Sequence, residues 1–209
     1  MSRSTVMERH PDHDATVREG YDQVAEQYLA ERDQWESLPH LERLITQLKP
    51  NSRILDIGCG AGMPVDSFLA EKGHQIIGID ISPKQIELAK KNVPGGEFEA
   101  RDMQDLEEGE YDVDAVVSFY AIFHTPREPH GETLKKLASF LPEGGMLLVT
   151  MGAGEWEGEE DFHGAPMRWS HYGAEKNRKL VESAGFEVLQ DEIDDSGNER
   201  HQVLLARKR

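Results

Sequence analysis

The sequence predicts an α/β fold, a doubly wound, seven-stranded and mostly parallel sheet with a C-terminal antiparallel strand. Between residues 53 and 150, short apolar segments alternate with segments of helical periodicity. Repeated strand-helix-strand units of this kind form a parallel sheet with helices on both faces. The chain then ends with two strand-like segments joined by a short polar turn, which is typical of an antiparallel hairpin.

The composition is that of one globular domain. The chain has 209 residues, of which 37% are hydrophobic and 30% are charged, a size that suits one compact core better than two small ones. It contains no apolar run of transmembrane length, and its first residues lack the apolar core of a secretory signal. Cys59 is the only cysteine, which excludes an internal disulfide framework. We therefore expect a cytoplasmic protein.

The chain is strongly acidic, with 40 Asp and Glu residues against 23 Lys and Arg residues and a formal net charge of −17. A field of this sign repels phosphate backbones, so nucleic acid is a poor candidate partner. We expect no nucleic-acid partner, no membrane partner, and either a monomer or a homodimer.

The first 50 residues predict a tail and two helices. Residues 1–14 are polar and are expected to form a flexible N-terminal tail. Over 15–33, apolar and aromatic residues recur at steps of three and four, which indicates an amphipathic helix. A second helix is expected over 41–48, ending before Pro50. The residues that set the first periodicity are Val17, Tyr21, Val24, Ala25, Tyr28 and Leu29.

The next elements alternate between strand and helix. A strand over 53–57 breaks into glycine, and a helix over 64–72 stops at Gly73. Ser82 is expected to cap a helix that starts at Pro83 and continues through residue 91. The remaining elements expected are strands over 75–79, 97–101, 113–119 and 146–150, helices over 133–140 and 174–184, and the terminal strands over 186–192 and 201–207, joined by an acidic turn over 194–197.

A glycine-rich segment follows the first expected strand. Gly58, Gly60 and Gly62 are spaced as Gly-x-Gly-x-Gly, whereas the dinucleotide-binding fingerprint needs a glycine where this chain has Met63. In open parallel sheets, ligands bind beyond the carboxyl ends of the strands. Asp80 follows the second expected strand and Asp102 the third, at the same edge as the glycines. A nicotinamide oxidoreductase remains a rival interpretation of the glycines alone.

Leu55-Asp-Ile-Gly-Cys-Gly-Ala-Gly62 resembles motif I of class I S-adenosylmethionine-dependent methyltransferases of the small-molecule type. Gly78-Ile-Asp-Ile-Ser82, Arg101-Asp-Met103 and Leu141-Pro-Glu-Gly-Gly-Met-Leu-Leu-Val149 resemble the later landmarks of that family. The terminal hairpin is similar to its extra antiparallel strand, and the resemblance extends over residues 21–207. It implies a Rossmann-like methyltransferase fold over residues 15–209, with the cofactor S-adenosyl-L-methionine and the product S-adenosyl-L-homocysteine.

The resemblance also implies which residues bind the cofactor. Asp80 would accept hydrogen bonds from both ribose hydroxyls, and Asp102 would accept one from the adenine amino group. Asp56 would lie beneath the cofactor, and the carbonyl of Phe119 would meet its methionine amino group. The full expected set is Tyr21, Asp56, Gly58, Gly60, Asp80, Ile81, Asp102, Met103 and Phe119.

Three segments are candidates for the acceptor site. Residues 15–50 resemble the helical lid of the family, and the insertion over 152–172 is long enough to be functional. His124 follows the fourth strand and is a candidate base because an imidazole titrates near neutral pH. A structural His124 and a Tyr28 that only packs remain the alternatives. Expected catalytic residues are His124 and Tyr28, and expected substrate-binding residues are Tyr120, Trp169, His171 and Tyr172.

We expect transfer of a methyl group to an O or N atom of a small-molecule acceptor. Such a displacement needs positioning and exclusion of water more than a fixed triad. A protein-directed methyltransferase and a non-catalytic S-adenosylmethionine-binding protein remain alternatives, since a fold does not establish a function. Asp161, His163 and His171 lack convincing metal-ligand spacing, so no metal is expected. Ser118-Phe-Tyr-Ala121 stands where base-modifying relatives carry Asn-Pro-Pro-Tyr, which argues further against nucleic acid.

Overall fold

The computed structural model describes residues 11–31, 38–196 and 200–209. Residues 1–10 of the expected tail, the expected end of the first helix at Asp33, and Gly197 in the acidic turn lie outside the described residues. Within the described ranges, no helix is both long and apolar enough to cross a membrane.

The fold is built on a seven-stranded sheet, whose strands are β1 Arg53–Ile57, β2 Gln75–Asp80, β3 Glu97–Ala100, β4 Ala115–Ser118, β5 Met146–Gly152, β8 Phe186–Asp194 and β9 His201–Lys208. Their order in the sheet is β3-β2-β1-β4-β5-β9-β8. Strands β1 to β5 pair in parallel, and β9 is antiparallel to both β5 and β8. The α/β fold with a mostly parallel sheet and a C-terminal antiparallel strand is therefore confirmed.

Six α-helices in the described part of the chain surround the sheet or cover its carboxyl edge. Ser82 caps one of them as expected, since its Oγ accepts a hydrogen bond from the amide of Gln85 at 3.1 Å. The helices are α1 Pro11–Glu31, α2 Leu38–Ile45, α3 Val65–Glu71, α4 Pro83–Asn92, α5 His130–Ser139 and α6 Ala174–Ser183, with short 3-10 helices at Met103–Asp105 and Ile122–His124.

The sheet is buried on both faces. Leu55 and Ile57 of β1 belong to one hydrophobic cluster, while Ile54 of the same strand belongs to the other. Successive side chains of a strand point to opposite faces, so a strand covered by helices on both sides must be apolar throughout. This explains why the central strands could be located from short apolar runs.

Two regions differ from the sequence-based expectation. Helix α1 begins at Pro11, so residues 11–14 are helical and do not belong to a flexible tail. The 152–172 insertion forms a two-stranded antiparallel hairpin of β6 Trp156–Phe162 and β7 Ala165–His171. Strand β6 has no buried residue, and without an apolar face its sequence shows no strand-like alternation.

The β6–β7 hairpin packs on α1 through β7. Gly20 lies at the crossing, where a Cβ atom would come within 2.9 Å of both the Met167 Cε and the Pro166 carbonyl oxygen. A glycine inside a helix costs stability relative to alanine, and here it permits close approach of the β7 backbone. The hairpin therefore packs closely against α1 at this glycine.

The imidazole of His130 is fully buried at the start of α5. Its Nε2 lies 3.3 Å from the carbonyl oxygen of Thr125 and donates to it, while Nδ1 has no hydrogen-bond partner among the described residues. Burial lowers the pKa of His130 from 6.5 to about 4, because the charged form loses its hydration. The fold therefore requires the neutral ring.

We predict that His130 makes the fold less stable in acid. The unfolded chain binds a proton at this residue below about pH 6.5, and the folded chain does so only below about pH 4. The free energy of unfolding should therefore fall by roughly 3 kcal/mol across that window. Urea unfolding of wild type and His130→Gln, which keeps a donor and removes the titration, measures the difference between about pH 7 and about pH 4.5. If wild type and His130→Gln lose the same free energy of unfolding over this pH range, the predicted contribution of His130 is contradicted.

Candidate active site

A cleft that is partly open to solvent lies at the carboxyl ends of β1, β2 and β4 and beneath α1. Its position is that expected for a ligand site in an open parallel sheet. It brings together residues from α1, from the glycine loop, and from the segments that follow β2, β3 and β4. The expected site residues that line it are Tyr21, Tyr28, Gly58, Gly60, Asp80, Ile81, Asp102, Met103, Phe119, Tyr120 and His124.

The glycine loop after β1 requires glycine at its first position. Gly58 has φ of +76°, and a Cβ atom there would lie 2.2 Å from the Cβ of Ala121. The amides of Gly58 and Cys59 both donate to the carbonyl oxygen of Ile79, at 2.8 and 3.0 Å. The loop is thus folded back on the end of β2 with its backbone against the cleft.

Asp80 joins this loop to the next one. Its Oδ2 accepts a hydrogen bond from the amide of Gly60 at 2.9 Å, and its Oδ1 accepts one from the amide of Ser82 at 2.8 Å. The carboxylate is only 9% exposed and lines the cleft. A carboxylate oxygen accepts more than one hydrogen bond, so this anchoring is compatible with contacts to a ligand's hydroxyl groups.

Asp102 organises the loop after β3 in a similar way. Its Oδ1 accepts a hydrogen bond from the amide of Gln104 at 2.8 Å and so caps the 3-10 helix Met103–Asp105. Met103 lines the cleft next to it. The two carboxylates, Asp80 and Asp102, therefore both lie at the wall of the cleft on rigid loop backbones.

Helix α1 is held over the cleft by polar contacts to the segments that follow three strands. Asp22 Oδ1 accepts hydrogen bonds from the Ser82 hydroxyl at 2.6 Å and from the amide of Lys84 at 3.2 Å. Asp14 Oδ1 accepts a hydrogen bond from Gln104 Nε2 at 2.8 Å. His13 Nε2 donates to the backbone carbonyl oxygen of His124, in the segment after β4, at 2.7 Å. We call the Asp22 contacts to Ser82 and Lys84 the α1 clasp.

Tyr21 and His124 form a hydrogen-bonded pair at the end of the cleft formed by α1 and the segment after β4. The Nδ1 of His124 lies 2.8 Å from the carbonyl oxygen of Arg168 on β7 and so carries a hydrogen. In the neutral ring, Nε2 is then an acceptor, and the Tyr21 hydroxyl lies 2.8 Å from it. The ring of Tyr28 packs edge-on against that of Tyr21, with centroids 5.8 Å apart. The hairpin carbonyl thus fixes which nitrogen of His124 faces Tyr21.

Four of the expected site residues do not line the cleft. Asp56 is 1% exposed and lies within β1. Trp169 lies behind His124, with ring centroids 5.5 Å apart. The ring of His171 lies on Gly152, where it occupies the space of a Cβ, and its Nδ1 is 2.8 Å from the Gly154 carbonyl oxygen.

Tyr172 packs with Arg127 and Lys176, whose guanidinium carbon and Nζ lie 5.3 Å and 5.6 Å from its ring centroid. Trp169, His171 and Tyr172 therefore do not line the cleft in this structure, and their contact with an acceptor stays a prediction. Residue type alone could not locate these side chains, because all three are large groups on one insertion and their positions depend on how the hairpin packs.

Several cleft residues were not expected from the sequence: Asp14, Val17, Gln85, Arg101, Gln104, Ala121 and Thr125. Asp14 and Val17 share the helical spacing of Tyr21, so a helix begun at Pro11 would have identified them. Gln85 carried no such signal, since a glutamine on an amphipathic helix is normally solvated.

Cys59 takes no part in the site chemistry that we describe. Burial and the neighbouring carboxylates of Asp66, Asp80 and Asp56 raise the pKa of its thiol well above the usual value. A thiol that stays protonated is a poor nucleophile. Across residues 11–31, 38–196 and 200–209, no three His, Cys, Asp or Glu side chains are grouped as a metal ion would need.

The central part of this chain is similar to a known family of proteins. Residues 54–145 match the family model described as a methyltransferase domain. The matched segment contains the glycine loop, Asp80, Asp102 and His124. It therefore includes β1 to β4 and the loops that form the sheet side of the cleft.

Two relatives illustrate the range of similarity. The chain is 27% identical over 172 residues to 24-methylenesterol C-methyltransferase 2 from Oryza sativa subsp. japonica, covering 73% of this chain and 46% of the relative. It is 33% identical over 107 residues to phosphoethanolamine N-methyltransferase from Plasmodium falciparum, covering 50% of this chain and 40% of the relative. The match thus spans less than half the length of either relative.

A solved structure shares the fold over nearly the whole chain. It is the 1,6-didemethyltoxoflavin-N1-methyltransferase of Burkholderia thailandensis, with bound 1,6-didemethyltoxoflavin and S-adenosylhomocysteine. The TM-score is 0.76, with 18% identity over 98% of this chain and 92% of that one. At this identity the likeness concerns the fold.

We predict that Asp22→Ala loosens α1. The substitution removes the α1 clasp, and hydrogen bonds to a charged group contribute roughly 1.5–3 kcal/mol. Backbone amides of α1 should therefore exchange at least about tenfold faster with solvent deuterium, whereas those of β1 and β4 should be unchanged. Glu19→Ala, on an exposed position of the same helix, is the matched control. Equal α1 protection in both variants would show that the clasp does not hold the helix.

Proposed function

We propose that this chain, whose residues 54–145 match a methyltransferase domain, is a class I S-adenosylmethionine-dependent methyltransferase that transfers the methyl group of S-adenosyl-L-methionine to an O or N atom of a small molecule. The observation that carries the proposal is one cleft that combines the glycine loop, Asp80 and Asp102 with the Tyr21–His124 pair. The first three supply contacts for a nucleoside, and the pair supplies a group that can accept a proton.

The residues of the cleft fit a nucleoside with a charged amino-acid tail. Asp80 has its two oxygens in one plane, as two neighbouring ribose hydroxyls require. In the same proposal Asp102 accepts from the adenine amino group and the amide of Met103 lies at the ring edge. The bare backbone of Gly58 and Gly60 permits close approach of the methionine portion, where the carbonyl of Phe119 accepts from its amino group.

Aromatic rings at the other end of the cleft suit a cationic group. Tyr21, Tyr28, Phe119 and Tyr120 all line it. The faces of aromatic rings attract cations by about 0.5–2 kcal/mol or more when the pair is desolvated. S-adenosyl-L-methionine supplies a methyl group on a positively charged sulfur, which these rings and the acidic chain, with its net charge of −17, would favour.

The Tyr21–His124 pair gives the reaction a route for its proton. As the acceptor atom bonds to the methyl carbon and the carbon–sulfur bond breaks, the acceptor proton passes to the Tyr21 oxygen. The phenolic proton of Tyr21 passes in turn to His124 Nε2, and the imidazolium keeps its Nδ1–H bond to the Arg168 carbonyl. The Arg168 carbonyl therefore stabilises the charge that forms on the ring. Tyr28 contributes an aromatic wall in this proposal.

A small acceptor is supported by how the cleft is enclosed. Helix α1 covers it, and the β6–β7 hairpin supports α1 and His124 from outside. The relatives and the solved structure described above are named for sterol, phosphoethanolamine and toxoflavin-precursor substrates, all small molecules. Since the chain aligns with less than half of each of those relatives, the proposal takes over the class of acceptor and none of the individual substrates.

We predict that the chain binds S-adenosyl-L-homocysteine and that Asp80→Ala weakens this binding at least about tenfold, because two hydrogen bonds to a charged group are lost. Titration calorimetry measures both dissociation constants. Glu97→Ala removes an exposed carboxylate at the start of β3 and serves as the control. No binding by the wild-type chain would contradict the proposed cofactor, and equal affinities would contradict the role of Asp80.

We predict that Tyr21→Phe lowers kcat by about 10²–10⁴-fold while leaving S-adenosyl-L-homocysteine affinity within a few-fold, because positioned proton transfer contributes a factor of that size. The assay follows S-adenosyl-L-homocysteine formation with a panel of amines, phenols and carboxylates. Tyr28→Phe is the matched control, since it removes a hydroxyl from the same helix and keeps the aromatic ring. A Tyr21→Phe enzyme as active as Tyr28→Phe would contradict the proton route. Turnover only with protein substrates would contradict the small acceptor.

A further inference from the structure

Gln85 is a buried polar residue in the wall of the cleft. It lies in the first turn of α4, between the loop that holds Asp80 and the face that packs on the sheet, and only 1% of it is exposed. It lines the cleft together with Ile81, Asp102 and Met103. The backbone amide of Gln85 is used by the Ser82 cap, so the side chain is left to make its own contacts.

Neither polar atom of the Gln85 side chain has a hydrogen-bond partner in the described part of the chain. A buried amide without hydrogen bonds costs about 1–3 kcal/mol for each unsatisfied group. The side-chain amide of Gln104, on the neighbouring loop, does have a hydrogen-bond partner, since its Nε2 donates to Asp14 Oδ1 at 2.8 Å. The Gln85 amide therefore carries one donor group and one acceptor that the fold itself does not use, at the edge of a ligand cleft.

The chemistry of a primary amide narrows what it can contact. Its Nε2 donates and its Oε1 accepts, side by side in one plane. The complementary partner is a planar group with an acceptor next to a donor. Adenine offers this pair at N7 and the exocyclic N6, which Gln and Asn side chains bind with two hydrogen bonds in other proteins.

We propose that Gln85 binds the adenine edge of the cofactor, with Oε1 accepting from N6–H and Nε2 donating to N7. This inference rests on the proposed function and adds a residue that determines which base is bound. The N6 amino group has two hydrogens, so Asp102 takes the hydrogen on the N1 side and Gln85 takes the one on the N7 side. Each polar atom of the base edge then meets a partner, and the desolvated Gln85 amide is satisfied only when the cleft is occupied.

The test compares two ligands on two proteins. The ligands are S-adenosyl-L-homocysteine and its 7-deazaadenine analogue, which replaces N7 by C–H. The proteins are wild type and Gln85→Met, which has a side chain of similar length without hydrogen-bonding groups. Dissociation constants from titration calorimetry give the coupling between the side chain and the ring atom, as in a double-mutant cycle.

We expect the wild-type chain to bind the 7-deaza analogue about tenfold more weakly than S-adenosyl-L-homocysteine, which is the loss expected for one hydrogen bond of a bidentate pair. Gln85→Met should bind S-adenosyl-L-homocysteine at least about tenfold more weakly than wild type and should not distinguish the two ligands. Gln85→Glu keeps the length and one acceptor oxygen but places a second acceptor opposite N7, so it should bind the 7-deaza analogue at least as tightly as S-adenosyl-L-homocysteine. Thermal unfolding of each variant shows that it is folded, and Gln85→Glu carries the test if Gln85→Met is not.

The inference is overturned if the 7-deaza substitution has the same effect in wild type and in the folded variant, because the two changes are then independent. It is also overturned if Gln85→Met binds S-adenosyl-L-homocysteine as tightly as wild type, which would mean that Gln85 only packs in the cleft wall. Absence of binding by the wild-type chain would instead contradict the proposed function. The two failures are therefore distinguishable.

Discussion

The carboxylate of Asp80 accepts hydrogen bonds from two backbone segments, and the geometry of the whole cleft depends on this junction. One oxygen holds the amide of Gly60 in the glycine loop, and the other holds the amide of Ser82 at the cap of α4. The same Ser82 then donates to Asp22 on the covering helix. The buried carboxylate of Asp80 thus connects the glycine loop to the loop after β2 and, through the Ser82 hydroxyl, to helix α1 above the cleft. Because the Asp80 carboxylate is already held by two backbone amides, ligand binding costs little further loss of its conformational freedom.

Helix α1 and two other distant segments bring Tyr21 and His124 together at the cleft. Tyr21 lies on α1, His124 follows β4, and the carbonyl that orients the imidazole belongs to Arg168 on the hairpin. All three elements are needed, because each supplies a different member of the hydrogen-bonded chain from Tyr21 through His124 to the Arg168 carbonyl. The close crossing of α1 and β7 at Gly20 keeps that arrangement compact, which gives the acidic hairpin a structural reason to be present beside the proposed acceptor site.

Most of the sheet could be predicted from the sequence because burial on both faces forces its strands to be apolar. The acidic residues at strand ends could be grouped because parallel strands share one carboxyl edge. The hairpin could not be predicted, since β6 contributes no buried face. Nor could the Tyr21–His124 contact, which joins residues 103 positions apart through packing that no local pattern encodes. His171 and Tyr172 were assigned to the acceptor by residue type, and neither lines the cleft in this structure. Gln85 has the sequence signature of a surface residue and becomes distinctive only when its burial is known.

The most direct test of this account is a crystal structure of the chain with S-adenosyl-L-homocysteine. We expect the ribose hydroxyls on Asp80, the adenine between Ile81 and Met103, and the sulfur facing Tyr21 and His124 across a space that admits a small acceptor. A nucleoside bound outside the cleft, or one in the reversed orientation with its sulfur at Asp102, would contradict the account.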